Sequence, residues 1–317
     1  MRSNHSHFIS RRYFASIIFG AIILAVASYA SVVRAAAEPG QKIFAKPDDA
    51  AAAMVTALTQ NDRPALITIF GNDGKGLLKS GDPVEDANDI KTFLKAYAEM
   101  HRFRVGPDDK LYLLVGAQNW PMPIPLAKGP SGWYFDTPYG KKELLYRRIG
   151  DNENTAIEVL QAIVAAENEY HDGAAGSGKE YAAHLLSTPG QHDGLAWRAE
   201  DGKPAGPMGA LAAIALAQGY TAPGPGKTVP VHGYYFRILD SQGASAAGGS
   251  KSYMVDGKMT NGFAVLAFPA KYRSSGVMTF LAGPDGSIYE RDLGPDTSRL
   301  APAITSYNPD SSWYPTS

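Results

Sequence analysis

The chain has 317 residues and none of them is cysteine. Disulfide frameworks, thiolate nucleophiles, Cys-ligated zinc and iron–sulfur clusters are thereby excluded. Stability must come from apolar burial, which a chain of this length with 44% hydrophobic residues can supply. Catalytic signatures are missing too. There is no G-x-S-x-G, S-x-x-K or H-E-x-x-H; Gly243-Ala244-Ser245 is the nearest approach to a nucleophile elbow and lacks the closing glycine. Charge of one sign is also lacking. Formal net charge is −1, and the first 37 residues hold Arg2, Arg11, Arg12 and Arg34 with no acid. Beyond them stand 26 basic and 31 acidic residues, a net of −5. Such a body has no electrostatic reason to seek nucleic acid.

What is present begins with an address. A polar, basic start closes on Arg11-Arg12, residues 15–33 are apolar or small without charge, and Ala35-Ala36-Ala37 precedes Glu38. That is the three-part build of a secretory signal peptide over residues 1–37, cleaved to leave the mature chain in the periplasm or outside the cytoplasm. An uncleaved membrane anchor is the alternative, since the apolar run is near the length of a span. Ser10-Arg11-Arg12-Tyr13-Phe14 resembles the twin-arginine export motif, although Ala15 and Ser16 depart from it and an ordinary Sec signal can carry the same pair. Apart from this segment no contact with a membrane is expected.

The mature chain reads as α+β in two domains, 38–150 and 151–317. Pro47-Asp48-Asp49 makes a good first helical turn, and Asp62 can cap a second helix that Gly71 stops. Ile90, Phe93, Leu94, Tyr97 and Met100 are spaced to bury one helical stripe. Strands are expected at 111–117 and 132–136. Between them Pro121-Met122-Pro123-Ile124-Pro125 predicts an edge strand or an exposed polyproline-type segment. Helix resumes at 139–148. After Gly150 a second long helix carries Ala156, Leu160, Ile163, Val164, Glu167 and Tyr170, and a Gly- and Pro-dense loop fills 187–230. Strands follow at 234–239, 253–255, 258–260, 263–268, 277–282 and 287–293. Asp256-Gly257 and Pro284-Asp285-Gly286 supply hairpin turns, so these strands are antiparallel. The tail from Gly294 is expected to wrap the surface.

Particular runs are distinctive. His232-Gly233-Tyr234-Tyr235-Phe236-Arg237-Ile238-Leu239, Gly262-Phe263-Ala264, Ser275-Gly276-Val277-Met278-Thr279-Phe280, Tyr289-Glu290-Arg291-Asp292-Leu293-Gly294 and Trp120-Pro121-Met122-Pro123-Ile124-Pro125 together resemble the bacterial domain of unknown function 2950 family. The resemblance implies an exported protein and hands over no activity. Helices before a sheet give residues 38–150 a generic likeness to the cone-shaped nuclear-transport-factor-two-like fold. The helix around Leu160, the Gly-rich loop after it and the closing hairpin at Asp285-Gly286 give residues 151–317 a partial likeness to the globular head of type IV pilins and pseudopilins. That likeness implies one long helix across an antiparallel sheet and not filament packing, because no apolar half-helix immediately precedes it.

Candidate chemistry is sparse. Gly173 to Lys179 has the spacing of a phosphate loop, but Glu180 replaces the magnesium-binding hydroxyl and the loop follows a helix rather than a strand. A bound nucleotide is not expected. Glu167 and His171, four apart, can share a metal or form a surface ion pair, and the ion pair is favoured. His192-Asp193 lies in a Gly-flanked loop with no nucleophile beside it. The residues singled out for binding are Trp120, next to the prolines and expected exposed, Trp133, expected in the core, and His101 at a helix end. No catalytic residue, metal or cofactor is assigned. The sequence thus predicts an exported cell-envelope protein, non-enzymatic, that binds an envelope protein partner or joins an assembly. The alternative is an enzyme or small-ligand binder using a cavity in the first domain.

Overall fold

Three of the first four helices begin the same way, with an aspartate cap and a proline in the first turn. Asp62 Oδ1 accepts from Ala65 N at 3.0 Å, Asp82 Oδ1 from Val84 N and Glu85 N at 3.1 Å, and Asp136 Oδ1 from Tyr139 N at 3.3 Å. Pro64, Pro83 and Pro138 sit where the missing N–H costs nothing. These devices start α2 (Arg63–Phe70), α3 (Pro83–Glu99) and α4 (Thr137–Glu169); α1 (Pro47–Thr59) starts on Pro47 without a side-chain cap. Gly71, at φ 76°, ends α2 as expected. This computed structural model describes residues 36–77, 79–106, 108–174, 179–220 and 229–316. The leader reading falls on residues outside the described ones except at its last two positions, and so does most of the loop with phosphate-loop spacing.

The first sheet has the order β1 (His101–Val105), β2 (Leu111–Val115), β4 (Leu126–Gly129), β5 (Gly132–Phe135), with β3 (Trp120–Pro121) also paired to β2, all antiparallel. Between this sheet and α1 and α2 lies an apolar core that includes Met54, Ile69, Phe70, Leu113, Ile124 and Phe135. Phe70 and Phe135 meet with ring centroids 5.0 Å apart. The proline-rich run is neither an edge strand along its length nor exposed: only Trp120 and Pro121 pair, and 122–125 are buried. The cause is Gly140 on α4, where even a Cβ would lie 2.5 Å from Ile124 Cα, so the helix rests directly on this segment. The stripe expected on α3 is half-buried at best, and Met100 is 37% exposed. α3 lies on the outside of the core and has no fully buried residue.

The helix expected to end at Arg148 and the helix expected to begin after Gly150 are one. α4 runs unbroken for 33 residues, roughly 50 Å, and its second half leaves the first core for a second one. There Leu160 and Ile163 join Val265, Leu266, Phe280 and Leu281. The second sheet is antiparallel, in the order β17 (Tyr314–Pro315), β16 (Ile288–Asp292), β15 (Met278–Ala282), β14 (Ala264–Pro269), β9 (Tyr234–Leu239). A long helix against an antiparallel sheet is therefore present. Two ribbons, β10 (Ser241–Gln242) with β11 (Lys251–Ser252) and β12 (Met254–Val255) with β13 (Lys258–Met259), lie between β9 and β14 in the chain. In the second, Asp256 and Gly257 both take positive φ, 51° and 79°, as a two-residue turn requires.

Two expectations fail in this half. The stretch 187–230 is more than loop: β7 (Gly194–Arg198) pairs with β6 (His184–Leu186) and β8 (Pro204–Ala205), and α5 (Gly209–Ala217) packs on β7 and β8. The tail does more than wrap the surface. It contributes β17 and buries Tyr307 and Trp313. Residues 35–317 pack as one compact unit. Among the described residues no helix is long and apolar enough to cross a membrane.

Candidate functional site

Trp120 and His101 are both register partners of Val115, one on each side of β2. Trp120 is 46% exposed, with the Arg147 guanidinium 5.5 Å from its ring and Arg147 Nη1 donating to Pro121 O at 2.8 Å. His101 is the first residue of β1, two positions past the end of α3, and its ring stacks on Tyr97 at 3.9 Å. Trp133 does not join them. It lies on β5, half-buried against the first core, exchanging backbone hydrogen bonds with Phe44 at 2.8 Å.

The densest polar constellation lies elsewhere, at a seam between the start of α3 and the start of β9. Asp82 is 1% exposed, and both its oxygens are filled. Besides the two α3 amides on Oδ1, Oδ2 accepts from the Tyr220 hydroxyl at 2.7 Å and from Gly233 N at 3.2 Å. Four donors saturate a carboxylate. Tyr220 Oη in turn accepts from His232 N at 3.1 Å, and burial with the hydrogen bond to Asp82 pushes its phenol well above the usual tyrosine range. His232 holds φ 47° and Gly233 φ 73°; a Cβ at Gly233 would lie 2.4 Å from Asn152 Nδ2, so only glycine fits. Asn152, on α4, donates to Ser275 O at 2.9 Å, and Glu153 Oε1 accepts from Val277 N and Met278 N at 2.8 and 3.0 Å. Ser274 Oγ closes the seam on Ser80 O at 3.0 Å.

Glu85 stands one turn into α3, its Oε1 3.9 Å from His232 Nδ1. Burial, then the neighbouring charges of Asp82 and Asp89, push its carboxyl up to about 7 against the opposing pull of Arg148. Acid–base chemistry would need more than this. The histidine is beyond direct hydrogen-bond reach of the carboxyl. The adjoining hollow, lined by Asp82, Pro83, Val84, Tyr220, Val229 and Pro230, holds about 210 Å³, below the usual range of ligand pockets. A second hollow of about 390 Å³, with Lys42, Gln60, Asp62 and Thr68 in its wall, opens between α1 and α2.

These contacts join four separate stretches of the chain, 80–86, 152–153, 232–234 and 274–278, and only the last two fall on runs that the sequence singles out. The match to a family model covers the same span. The model described as "Protein of unknown function (DUF2950)" matches residues 41–316. The chain belongs to this family. No curated protein and no solved structure matches it. Within the DUF2950 chain, the run 232–239 and the run 275–280 both lie inside the matched residues and are neighbours in space, held together through Tyr234, whose hydroxyl donates to Met278 O at 2.9 Å above Gly276.

The other candidates resolve individually. Glu167 does not pair with His171. It is fully buried, accepts from Ala182 N at 2.8 Å, and burial pushes its carboxyl up to about 8. His171 stacks on Tyr181 at 4.5 Å and faces Asp172. His192 stacks on Trp197 at 4.4 Å, while Asp193 accepts from Thr188 N and Oγ1 at 2.7 Å, which fixes a loop turn. Among the described residues no group of three or more His, Asp or Glu is placed to hold a metal. Sequence inspection missed the seam because Asp82, Tyr220 and Gly233 are spread over 151 positions. The Asp82-Pro83 cap was its only local signal.

Proposed function

We propose that this DUF2950 chain is an exported cell-envelope protein that binds a protein partner or joins an assembly, without catalysing a reaction, and that the edge at Trp120 is a contact surface. The observation that carries the reading is the way the first core is filled. Met54, Leu113, Val115, Met122, Ile124 and Phe135 occupy the space between α1, α2 and the sheet, while Trp120 at the rim stays 46% exposed. A large aromatic kept in water beside an arginine is the composition of a binding hot spot rather than of a core. The uncharged run 15–33 and the alanines before Glu38 support export.

The test is co-purification from the native envelope with mass spectrometry, comparing the wild type with Trp120→Ala. A partner enriched with the wild type and depleted at least fivefold with the variant is the expected result. Identical protein sets from both would remove Trp120 from the contact surface. The Glu85–His232 pair motivates the other reading, an enzyme or small-ligand binder. Under it, Glu85→Gln rather than Trp120→Ala would change the recovered ligand.

A further inference from the structure

α5 has no polar side chain anywhere along its length: Gly-Ala-Leu-Ala-Ala-Ile-Ala-Leu-Ala. A helix that is apolar all round belongs in an interior. This one rests only one side on the small sheet, where Ala212 and Ala215 are half-buried. Leu211, Ile214 and Leu216 are 39%, 54% and 43% exposed. The apolar surface continues past its C-terminal end through Gly219, which faces Val84 Cγ1, to the hollow walled by Val84, Tyr220 and Val229. Val229 is itself 39% exposed. A contiguous apolar face of this kind marks a surface for something else to cover.

Charge decides what. At the N-terminal end of α5, Glu200 and Asp201 are balanced by Arg198 and Lys203, the latter 3.0 Å from Asp201. At the C-terminal end the balance fails. Asn88 Nδ2 donates to Gln218 O at 2.9 Å and so fastens the first turns of α3 beside α5. These turns carry Glu85, Asp86 and Asp89 next to buried Asp82, opposed by Arg148 from α4 and by His232. An anionic bilayer would be repelled there. A second copy of the chain is disfavoured by area: a helix about 13 Å long falls far short of the roughly 800 Å² per partner that a stable dimer buries.

We infer that α5 and the hollow at its C-terminal end form a docking site for a polypeptide segment that lays apolar side chains along Leu211 and Ile214 and sets a lysine or arginine against the acids of α3. The inference rests on the reading of the chain as a binding protein and names the chemistry of one partner. It uses a surface separate from Trp120, so the two can fail independently. Apolar anchors in such a segment supply affinity, and the cation fixes its direction along the helix.

The experiment uses the purified chain and two synthetic helical peptides of leucine and alanine, one ending in three lysines and its twin ending in three glutamates. Fluorescence anisotropy should show the lysine peptide binding at least tenfold tighter than the glutamate peptide. Ile214→Asp should weaken it at least tenfold and Asp89→Asn about threefold, with circular dichroism unchanged in both because both side chains are exposed. Trp120→Ala should bind it as the wild type does. Equal binding of the two peptides, or indifference to Ile214→Asp, overturns the inference. So does a wild-type dimer in sedimentation that Ile214→Asp splits, which would make the face a self-interface. Flotation with phosphatidylethanolamine–phosphatidylglycerol vesicles at 3:1 that is lost on Ile214→Asp overturns it in favour of a bilayer.

Discussion

Tyr220 gives its hydroxyl hydrogen to Asp82 across 2.7 Å, joining residues 138 positions apart in the chain. The acceptor is a buried carboxylate, and hydrogen bonds to charged groups contribute about 1.5–3 kcal/mol. Tyr220→Phe also strips His232 N of its acceptor. Urea unfolding should therefore show a loss of about 2–3 kcal/mol, with the slope unchanged. A loss below 0.5 kcal/mol would mean that water replaces the phenol without cost.

Gly150 offers a pair of substitutions with opposite signs. It lies inside α4 at an ordinary φ, and a Cβ there would meet nothing within 4 Å. Gly150→Ala should raise stability by roughly 0.5–1 kcal/mol, since the helix loses its most flexible residue. Gly150→Pro should cost about 3 kcal/mol or more by removing a helical hydrogen bond and clashing with the preceding turn. A linker at this position would tolerate both, and thermal unfolding distinguishes the cases.

Leu160 is 0% exposed at the centre of the second core. Leu160→Ala should destabilise by about 2–5 kcal/mol through lost burial and the cavity left behind. Because α4 enters both cores, amide exchange should rise in the first sheet as well as in the second. Protection unchanged over residues 111–115 would show that the cores open separately.

Glu167 makes stability depend on pH in a direction opposite to that of a salt-bridged acid. Its carboxyl titrates near 8 when folded and near its ordinary 4.5 when unfolded. Between these values the folded chain holds a proton that the unfolded chain has released, so rising pH favours unfolding. Stability should fall from pH 4.5 to about 8 and then level off, by on the order of 1.4 kcal/mol for each unit crossed. Glu85 acts in the same direction over the shorter window that ends at about 7. The difference between the wild type and Glu167→Gln isolates Glu167. A wild-type curve parallel to that of the variant across this window would place the ionised carboxylate in the folded core.

Several elements were legible because their signals are local. The cap at Asp62 and the stop at Gly71 bound α2, and β9 occupies the 234–239 expected of it. The Asp256-Gly257 turn was readable for the same reason. α5 was not, since a uniform apolar run has no period and its Gly- and Pro-rich flanks look like loop. Glu167 was misread because spacing of four shows which side chains share a helix face and not whether that face is turned inward. The prolines at 121–125 suggested exposure, but Gly140 on α4 removes the room for solvent there, and Gly140 carries no mark of that duty in the sequence. Trp120 was expected exposed and is, with the Arg147 guanidinium of α4 beside its ring.

The seam also sets an order in time. Asp82 leaves the ribosome 138 residues before Tyr220 and 151 before Gly233, and until Tyr220 arrives its outer oxygen has only water to accept from. At roughly 5–20 residues per second that interval lasts about 8–30 s, long compared with the folding of a helix or hairpin. During it the first core can assemble, but the aspartate that must finally be dehydrated still faces solvent. A chain stalled or truncated before residue 220 therefore has a helix capped at its own expense and no means of burying the cap. Quality-control proteases would meet that half as an unfinished surface, and Tyr220 and Gly233 are the residues whose arrival withdraws it.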